Sequence, residues 1–315
     1  MLSRREYLTM TATACAALAL RARLAESAEP GDLITRAIPK TGEHLPIIGL
    51  GSSATFSQSA GRAEVDALGG VFKTMVEHGG SVFDTAPGYG ASEQVSAKLV
   101  ADLGLRNKIF WATKVNVAGF GGGSADPAAA RAQIETSLKR LGRKIDLLQV
   151  HNAAALETQV PIAEEYKAQG KVRYIGTTST FKGQYGTLEQ AMRDRPLDFI
   201  GVDYAVDNVS AEERILPLAQ DKGIAVLVYS PTGRTRLFQR VRGHDVPAWA
   251  QEFGVTTWAQ FFLKFAAAHP AVTAVTPATS DPAHMIDNMA AARGRLPDAA
   301  ERKRMIDVIA ALPEA

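Results

Sequence analysis

Apolar residues alternate along this chain between two rhythms. Short β-rich runs occur at 46–50, 81–84 (SVFD), 109–114 (IFWATK), 145–151 (IDLLQVH), 172–177 (VRYIGT), 198–204 (DFIGVDY), 224–229 (IAVLVY) and 271–276 (AVTAVT). Between them, apolar positions recur at helical spacing over 62–78, 92–103, 126–141, 157–169, 183–194, 209–222 and 246–268. Ser92-Glu93, Asp126-Pro127, and Ser210 with Glu212-Glu213 read as helix starts. Residues 36–51 predict a hairpin turning at Thr41-Gly42 and then an apolar strand; residues 281–311 predict two further helices.

Eight strands alternating with helices, with no composition break after residue 30, predict one parallel α/β unit. The strand spacing predicts a (β/α)8 TIM barrel with an N-terminal hairpin and extra C-terminal helices. A doubly wound sheet is the rival, because Gly49-Leu50-Gly51-Ser52-Ser53-Ala54 fits a GxGxxA fingerprint. The next helical pattern starts only near Arg62, so no helix N-terminus meets those glycines to hold a pyrophosphate. The barrel is the better fit.

Barrel chemistry gathers at the C-terminal ends of strands. Asp84 ends the second strand, Lys114 the third and His151 the fourth, while Tyr89 lies in the loop after Asp84. Alternation puts Lys114 on the face of Phe110 and Ala112, and turns Trp111 towards the helices. Singly, each has a plain structural role: a turn cap, a loop aromatic, a strand-end lysine, a core histidine. Together they make chemical sense. A lysine held by an aspartate lowers the pKa of a nearby tyrosine, the tyrosine gives a proton to a developing alkoxide, and a histidine orients the carbonyl oxygen.

"VFDTAPGYGASE", "ATKV", "IDLLQVHN", "VRYIGTTST", "LVYSP" and "TPATSDPAHMIDN" together resemble the aldo-keto reductases in order and spacing, over about 36–295. The resemblance implies a nicotinamide cofactor bound without a Rossmann domain, NADPH with NADH as the alternative. It implies Tyr89 as general acid, Lys114 as the residue that tunes it, Asp84 as the holder of Lys114, and His151 as the residue that positions the substrate carbonyl. On the cofactor it implies Gly51 and Ser52; Thr178 and Ser179 at the carboxamide; Tyr229 stacked on the nicotinamide; and Ser230 and Arg234, with Arg236, near the pyrophosphate. Thr279, Ser280 and His284 fall where relatives bind a 2′-phosphate, and Asp287-Asn288 at the adenine. Gly201 stands where the family carries a glutamine. Phe56, Phe120 and Asn152 are expected to line the substrate pocket.

The implied reaction is reduction of an aldehyde or ketone to an alcohol. A cofactor-binding protein on the same barrel, with little turnover, is the alternative. A hydrolase or isomerase built on Asp84 and His151 leaves Tyr89 and Lys114 without a task. The six histidines (44, 78, 151, 244, 269, 284) show no close pairing, so no metal site is expected.

Charge and cysteine change the picture at the N-terminus. Ser3-Arg4-Arg5-Glu6-Tyr7-Leu8 resembles a twin-arginine export motif. An apolar stretch to Leu20, too short for a stable membrane span, and small residues at Ala25–Ala28 follow. A leader at 1–28 ahead of a barrel at 29–315 is expected, with the export machinery as partner. The mature protein is then periplasmic or otherwise exported, and cytoplasmic if the leader is not used. Residues 1–28 hold four arginines against two glutamates, so they account for the whole formal charge of +2. No basic stripe remains to argue for nucleic acid. Cys15, the one cysteine, lies in the leader, so the rest can form no disulfide.

Overall fold

In the computed structural model, residues 31–53, 55–56, 62–119 and 123–314 are described. Leu33–Ala315 is one unit; Met1–Asp32 is a second, of which only Gly31 and Asp32 are described. Arg4, Arg5, Cys15 and Phe120 therefore lie outside the described residues.

The chain opens with a hairpin, β1 (Thr35–Ala37) antiparallel to β2 (His44–Pro46), turning through Gly42 at φ 74°. Then come β3 (Leu50–Gly51), β4 (Val82–Asp84), β5 (Phe110–Val115), β6 (Ile145–Val150), β7 (Val172–Ser179), β8 (Phe199–Asp203), β9 (Ala225–Tyr229) and β10 (Ala274–Val275). These eight strands are parallel and neighbour one another in sequence order. Bonds from Gly49 N to Val275 O and from Gly51 N to Pro277 O join the first strand to the last and complete the barrel.

The glycines of the GxGxxA match serve this closure. A Cβ on Gly51 would lie 2.8 Å from Thr276 O, and one on Gly49 2.7 Å from Val82 O. They let neighbouring backbones approach, and the following helix begins only at Arg62.

Strand alternation sorts the core into two layers. Phe110, Ala112, Leu147, Phe199, Ala225 and Leu227 fill the barrel interior. Trp111, Leu148, Ile175 and Val226 pack outwards with the helices. Trp111 thus faces the helical layer, as its parity predicts. Ile38 and Leu45 of the hairpin join the inner layer. The hairpin packs at the N-terminal end of the barrel, tied there by Lys40 Nζ to Leu197 O.

The surrounding helices are α1 (Arg62–Glu77), α2 (Ser92–Asp102), α3 (Pro127–Leu141), α4 (Leu156–Ala168), α5 (Tyr185–Asp194), α6 (Ile215–Lys222), α7 (Arg236–Arg240) and α8 (Trp258–Ala268). Two more, α9 (Pro282–Ala290) and α10 (Ala299–Ala310), follow the last strand. Asp126 caps α3 through Ala128 N, with Pro127 just inside, as its pattern predicts.

Ser92 and Glu93 do not cap α2. Ser92 bonds Thr85 Oγ1, and buried Glu93 accepts from Thr113, Ser137 and Arg140. The pattern expected at 246–268 also breaks, into a 3₁₀ segment (Ala248–Phe253) and α8, because Gly254 turns left-handed at φ 74° and Thr257 caps afresh. Among the described residues no helix is long and apolar enough to cross a membrane.

Candidate active site

The carboxyl ends of the strands converge on a cavity of about 610 Å³. Asp84 is the last residue of β4, and Lys114 lies near the end of β5, inward by the alternation that puts Phe110 and Ala112 in the barrel. Lys114 Nζ donates to Asp84 Oδ1 at 2.6 Å and to Thr85 O at 2.9 Å, and the ion pair is buried. A buried pair holds only when its remaining donors and acceptors are met, and here they are. Asp84 Oδ2 accepts from Tyr229 Oη at 3.0 Å and from Gln149 Nε2 at 3.3 Å.

Tyr89 comes in from the β4–α2 loop, on a turn closed by Tyr89 N to Ala86 O and Ser92 N to Tyr89 O. Its hydroxyl stands 3.4 Å from His151 Nε2, with the two rings edge to face. Lys114 Nζ is 4.9 Å from the Tyr89 ring centroid. The four residues named from the chain pattern thus form one cluster at the mouth of the barrel.

Burial works against the Lys114 charge, but Asp84 and then Tyr89 outweigh it and hold the ammonium above its usual pKa. His151 goes the other way. Burial first, and the Lys114 cation second, lower it from 6.5 to about 3. It is a neutral imidazole at any ordinary working pH.

That shift has a consequence for stability. Between about 3 and 6.5 the folded protein binds fewer protons at His151 than the unfolded chain does. The stabilising difference is fully present above 6.5 and is lost as pH falls towards 3. Denaturant titrations in that acid window should show His151→Asn losing less stability than the wild type. Equal losses would show that His151 protonates freely in the folded state.

Non-glycine residues with left-handed backbone gather on two loops. Asn152, Ala153 and Ala155 follow β6, and Ser230, Arg234 and Thr235 follow β9. Among the described non-glycine residues no others have positive φ. Such conformations persist where packing over-determines them, and both loops border the cavity. Among the described residues, no three His, Cys, Asp or Glu side chains gather as a metal site.

The sequence model of the Aldo/keto reductase family matches residues 47–305. The chain belongs to this family. A probable aldo-keto reductase 1 of Glycine max is 34% identical over 177 residues, covering 52% of this chain and 49% of the relative. An aldo-keto reductase of Gibberella moniliformis is 28% identical over 171 residues, covering 52% and 51%. The chain thus matches about half the length of these curated relatives.

Solved structures share the fold at lower identity. An aldo/keto reductase from Klebsiella pneumoniae, in complex with NADP and acetate, has a TM-score of 0.72 at 23% identity, covering 87% of this chain and 94% of that one. The glycerol dehydrogenase AKR11B4 of Gluconobacter oxydans has a TM-score of 0.71 at 22% identity, covering 88% and 95%.

The other residues expected from the aldo/keto reductase pattern divide into two groups. Gly51, Ser52, Asn152, Thr178, Tyr229, Ser230 and Arg234 line the cavity. Ser52 donates to Asp84 O, and Thr178 Oγ1 accepts from Asn152 N.

Several residues do not line it. Phe56 is fully buried and packs edge to face on Phe72 and Phe83, so it is a core residue and not a substrate contact. Ser179, on the opposite face from Thr178, bonds Phe181 O and Gln184. Arg236 is paired with Asp207. Asp287 accepts from Thr257 and Gln260, so both its oxygens are taken up on the α8 side. Asn288 is buried in α9. Thr279, Ser280 and His284 cluster at the start of α9, where the Asp281 carboxylate accepts from Ala283 N and lies 3.9 Å from His284 Nε2, and the Asp281 N–H donates to Thr279 Oγ1. They lie beyond Ala278, the last cavity residue along the chain.

No motif in the chain marks Gln149. It pairs in register with Lys114 and reaches Asp84 and Tyr229. Its signal was a buried amide at the parity of Leu147 and His151, inside an otherwise apolar strand. Phe181, on the loop after β7, also lines the cavity without any sequence signal.

Proposed function

We propose that this chain is an NAD(P)H-dependent reductase that converts an aldehyde or ketone to an alcohol, with Tyr89 as the acid. The observation that carries this reading is the buried Lys114–Asp84 pair set beside Tyr89 and His151 at the carboxyl end of a (β/α)8 barrel.

Residues along the cavity fit a dinucleotide. The cavity runs from this cluster along the β9 loop to Thr276 and Ala278. Among the described residues Asp84 is the one acidic lining residue and is neutralised by Lys114, so Arg234 leaves the described wall with net positive charge, which suits a phosphate. Ser230 and Arg234 would hold the phosphates, and Tyr229 and Thr178 the nicotinamide end. The Klebsiella pneumoniae neighbours are described with NADP and NADPH, which favours NADPH, with NADH as the alternative. When bound, the nicotinamide supplies the hydride.

The chain's own residues do the rest. Tyr89 and His151 stand close enough for one carbonyl oxygen to accept from both. His151, neutral down to about pH 3, orients that oxygen by hydrogen bonding and has no spare proton to give. Tyr89 therefore delivers the proton. Lys114 offsets the negative charge that the tyrosine oxygen then carries. Asn152 and Phe181 on the cavity wall, with Phe120 from the sequence pattern, are the residues expected to choose among carbonyl substrates.

Export rests on the sequence alone: the Arg4-Arg5 motif and the small residues at 25–28 favour delivery across a membrane of a protein folded around its nucleotide. Mapping the N-terminus of the protein from its native compartment tests this.

Purified protein should quench on titration with NADPH and oxidise it in the presence of members of an aldehyde and ketone panel. Tight nucleotide binding with no oxidation across the panel would overturn the reductase reading and leave a nucleotide-binding protein.

A further inference from the structure

Both oxygens of Asp84 are committed, and to different partners. Oδ1 takes the Lys114 ammonium at 2.6 Å. Oδ2 lies 3.0 Å from Tyr229 Oη and accepts from the Gln149 amide at 3.3 Å, and the same amide donates to Tyr229 Oη at 3.0 Å. The single Tyr229 proton also has Gln149 Oε1 within 3.1 Å, but the charged carboxylate oxygen is the stronger acceptor and takes it. Tyr229 ends β9 and Asp84 ends β4, five strands away in the sheet order, so the tyrosine side chain crosses the barrel mouth.

Gly201 on β8 makes that crossing possible. A Cβ there would lie 2.2 Å from Tyr229 Cε2 and 2.7 Å from Cζ and Oη. Any side chain at 201 would occupy the space of the ring. Lys114 Nζ lies 5.2 Å from the same ring's centroid.

We propose that Tyr229 and Gln149 are positioning residues for the acid: they hold the second oxygen of Asp84, so that Lys114 keeps its charge directed at Tyr89, and Gly201 is the gap that admits Tyr229. The proposal rests on the reading of Tyr89 as proton donor. A carboxylate with a free second oxygen can turn to grip a neighbouring ammonium with both, and concentrates its charge on it. Two donors on Oδ2 prevent that rotation and disperse part of the negative charge. Lys114 then has one strong acceptor in Asp84 and one in Thr85 O, and its field still reaches Tyr89, 4.9 Å away at the ring centroid. Burial and the Asp84 charge push the Tyr229 hydroxyl well above its usual pKa, so it remains a donor throughout the working range.

Tyr229→Phe keeps the ring over Gly201 and removes only the hydroxyl. Its kcat for carbonyl reduction should fall about tenfold, the loss expected for one hydrogen bond to a charged group. Its KM and its nucleotide Kd, read by protein fluorescence, should stay within about twofold. The alkaline limb of its pH–rate profile should move to higher pH, because a weaker Lys114 field makes Tyr89 a weaker acid.

Gln149→Leu should move the same limb in the same direction. In nucleotide-free protein it should also displace the tyrosinate absorbance step that Tyr89→Phe abolishes. A loss confined to KM, or pH profiles and absorbance titrations that superimpose on wild type, would overturn the proposal. If Tyr89→Phe reduces carbonyls as fast as wild type, the acid assignment fails instead. The Gln149→Leu absorbance titration still decides whether Asp84 couples to Tyr89.

Discussion

Lys114→Met is expected to cut carbonyl reduction roughly a thousandfold and to lower the melting temperature by on the order of 10 °C. The two effects share one cause. Removing the ammonium leaves Asp84 as a buried carboxylate without its counter-ion, and breaking one side of such a pair costs about 3–5 kcal/mol. In a domain of this size each kcal/mol is worth roughly 2–4 °C. Tyr229 and Gln149 still donate to Asp84, so the fold should survive the loss. The chemistry should not survive it. Without a cation beside Tyr89, the charge left after proton transfer is unopposed, and turnover should fall by roughly a thousandfold. Calorimetry and a single-turnover assay check the two halves separately. A variant that unfolds no earlier than wild type would mean that Asp84 has taken up a proton or an alternative partner.

Tyr89→Phe separates chemistry from stability more cleanly. The hydroxyl's hydrogen bond to His151 is long, at 3.4 Å, and the ring keeps its edge-to-face packing without it. Melting temperature should stay within about two degrees of wild type, since a weak bond at a cavity edge contributes little. Nucleotide affinity should be unchanged. The rate of carbonyl reduction should fall by roughly 10²–10⁴, the usual contribution of a positioned general acid. His151 cannot take over the task, because its pKa near 3 keeps it neutral, and the N–H of a neutral imidazole is too weak an acid to protonate the oxygen. Wild-type and variant rates that agree across a carbonyl panel would remove Tyr89 from the acid role.

Much of this arrangement is legible in the chain. The switch between β-rich runs and helical spacing marks the eight strands to within a few residues, except at the first and the last, where only Leu50–Gly51 and Ala274–Val275 pair in the ladder. Parity along β5 separates Lys114 from Trp111, because a strand repeats every two residues and a barrel has only two faces. Polar residues at the ends of apolar strands stand out for the same reason: Asp84, Lys114 and His151 break the pattern of their own segments. Phe56 shows the limit. An aromatic on the first barrel loop is equally consistent with a pocket wall and with core, and its contacts with Phe72 and Phe83 decide for core.

What the sequence determined by itself was local: which runs become strand or helix, which face each strand residue takes, and which four side chains reach the barrel mouth. Those properties follow from backbone periodicity within a few residues. The tertiary structure decided which groups meet. Read along the chain, Gly201 is only a glycine inside an apolar run. Across the mouth it is the space taken by Tyr229, whose hydroxyl completes Asp84 from the far side of the barrel. Arg236 and Asp287 look available for a ligand until Asp207, Thr257 and Gln260 are placed beside them. The neutral state of His151 likewise depends on burial and on a lysine 37 positions away along the chain. Closing the sheet between its first and last strands brings these partners together, and that closure is a long-range event that no local pattern encodes.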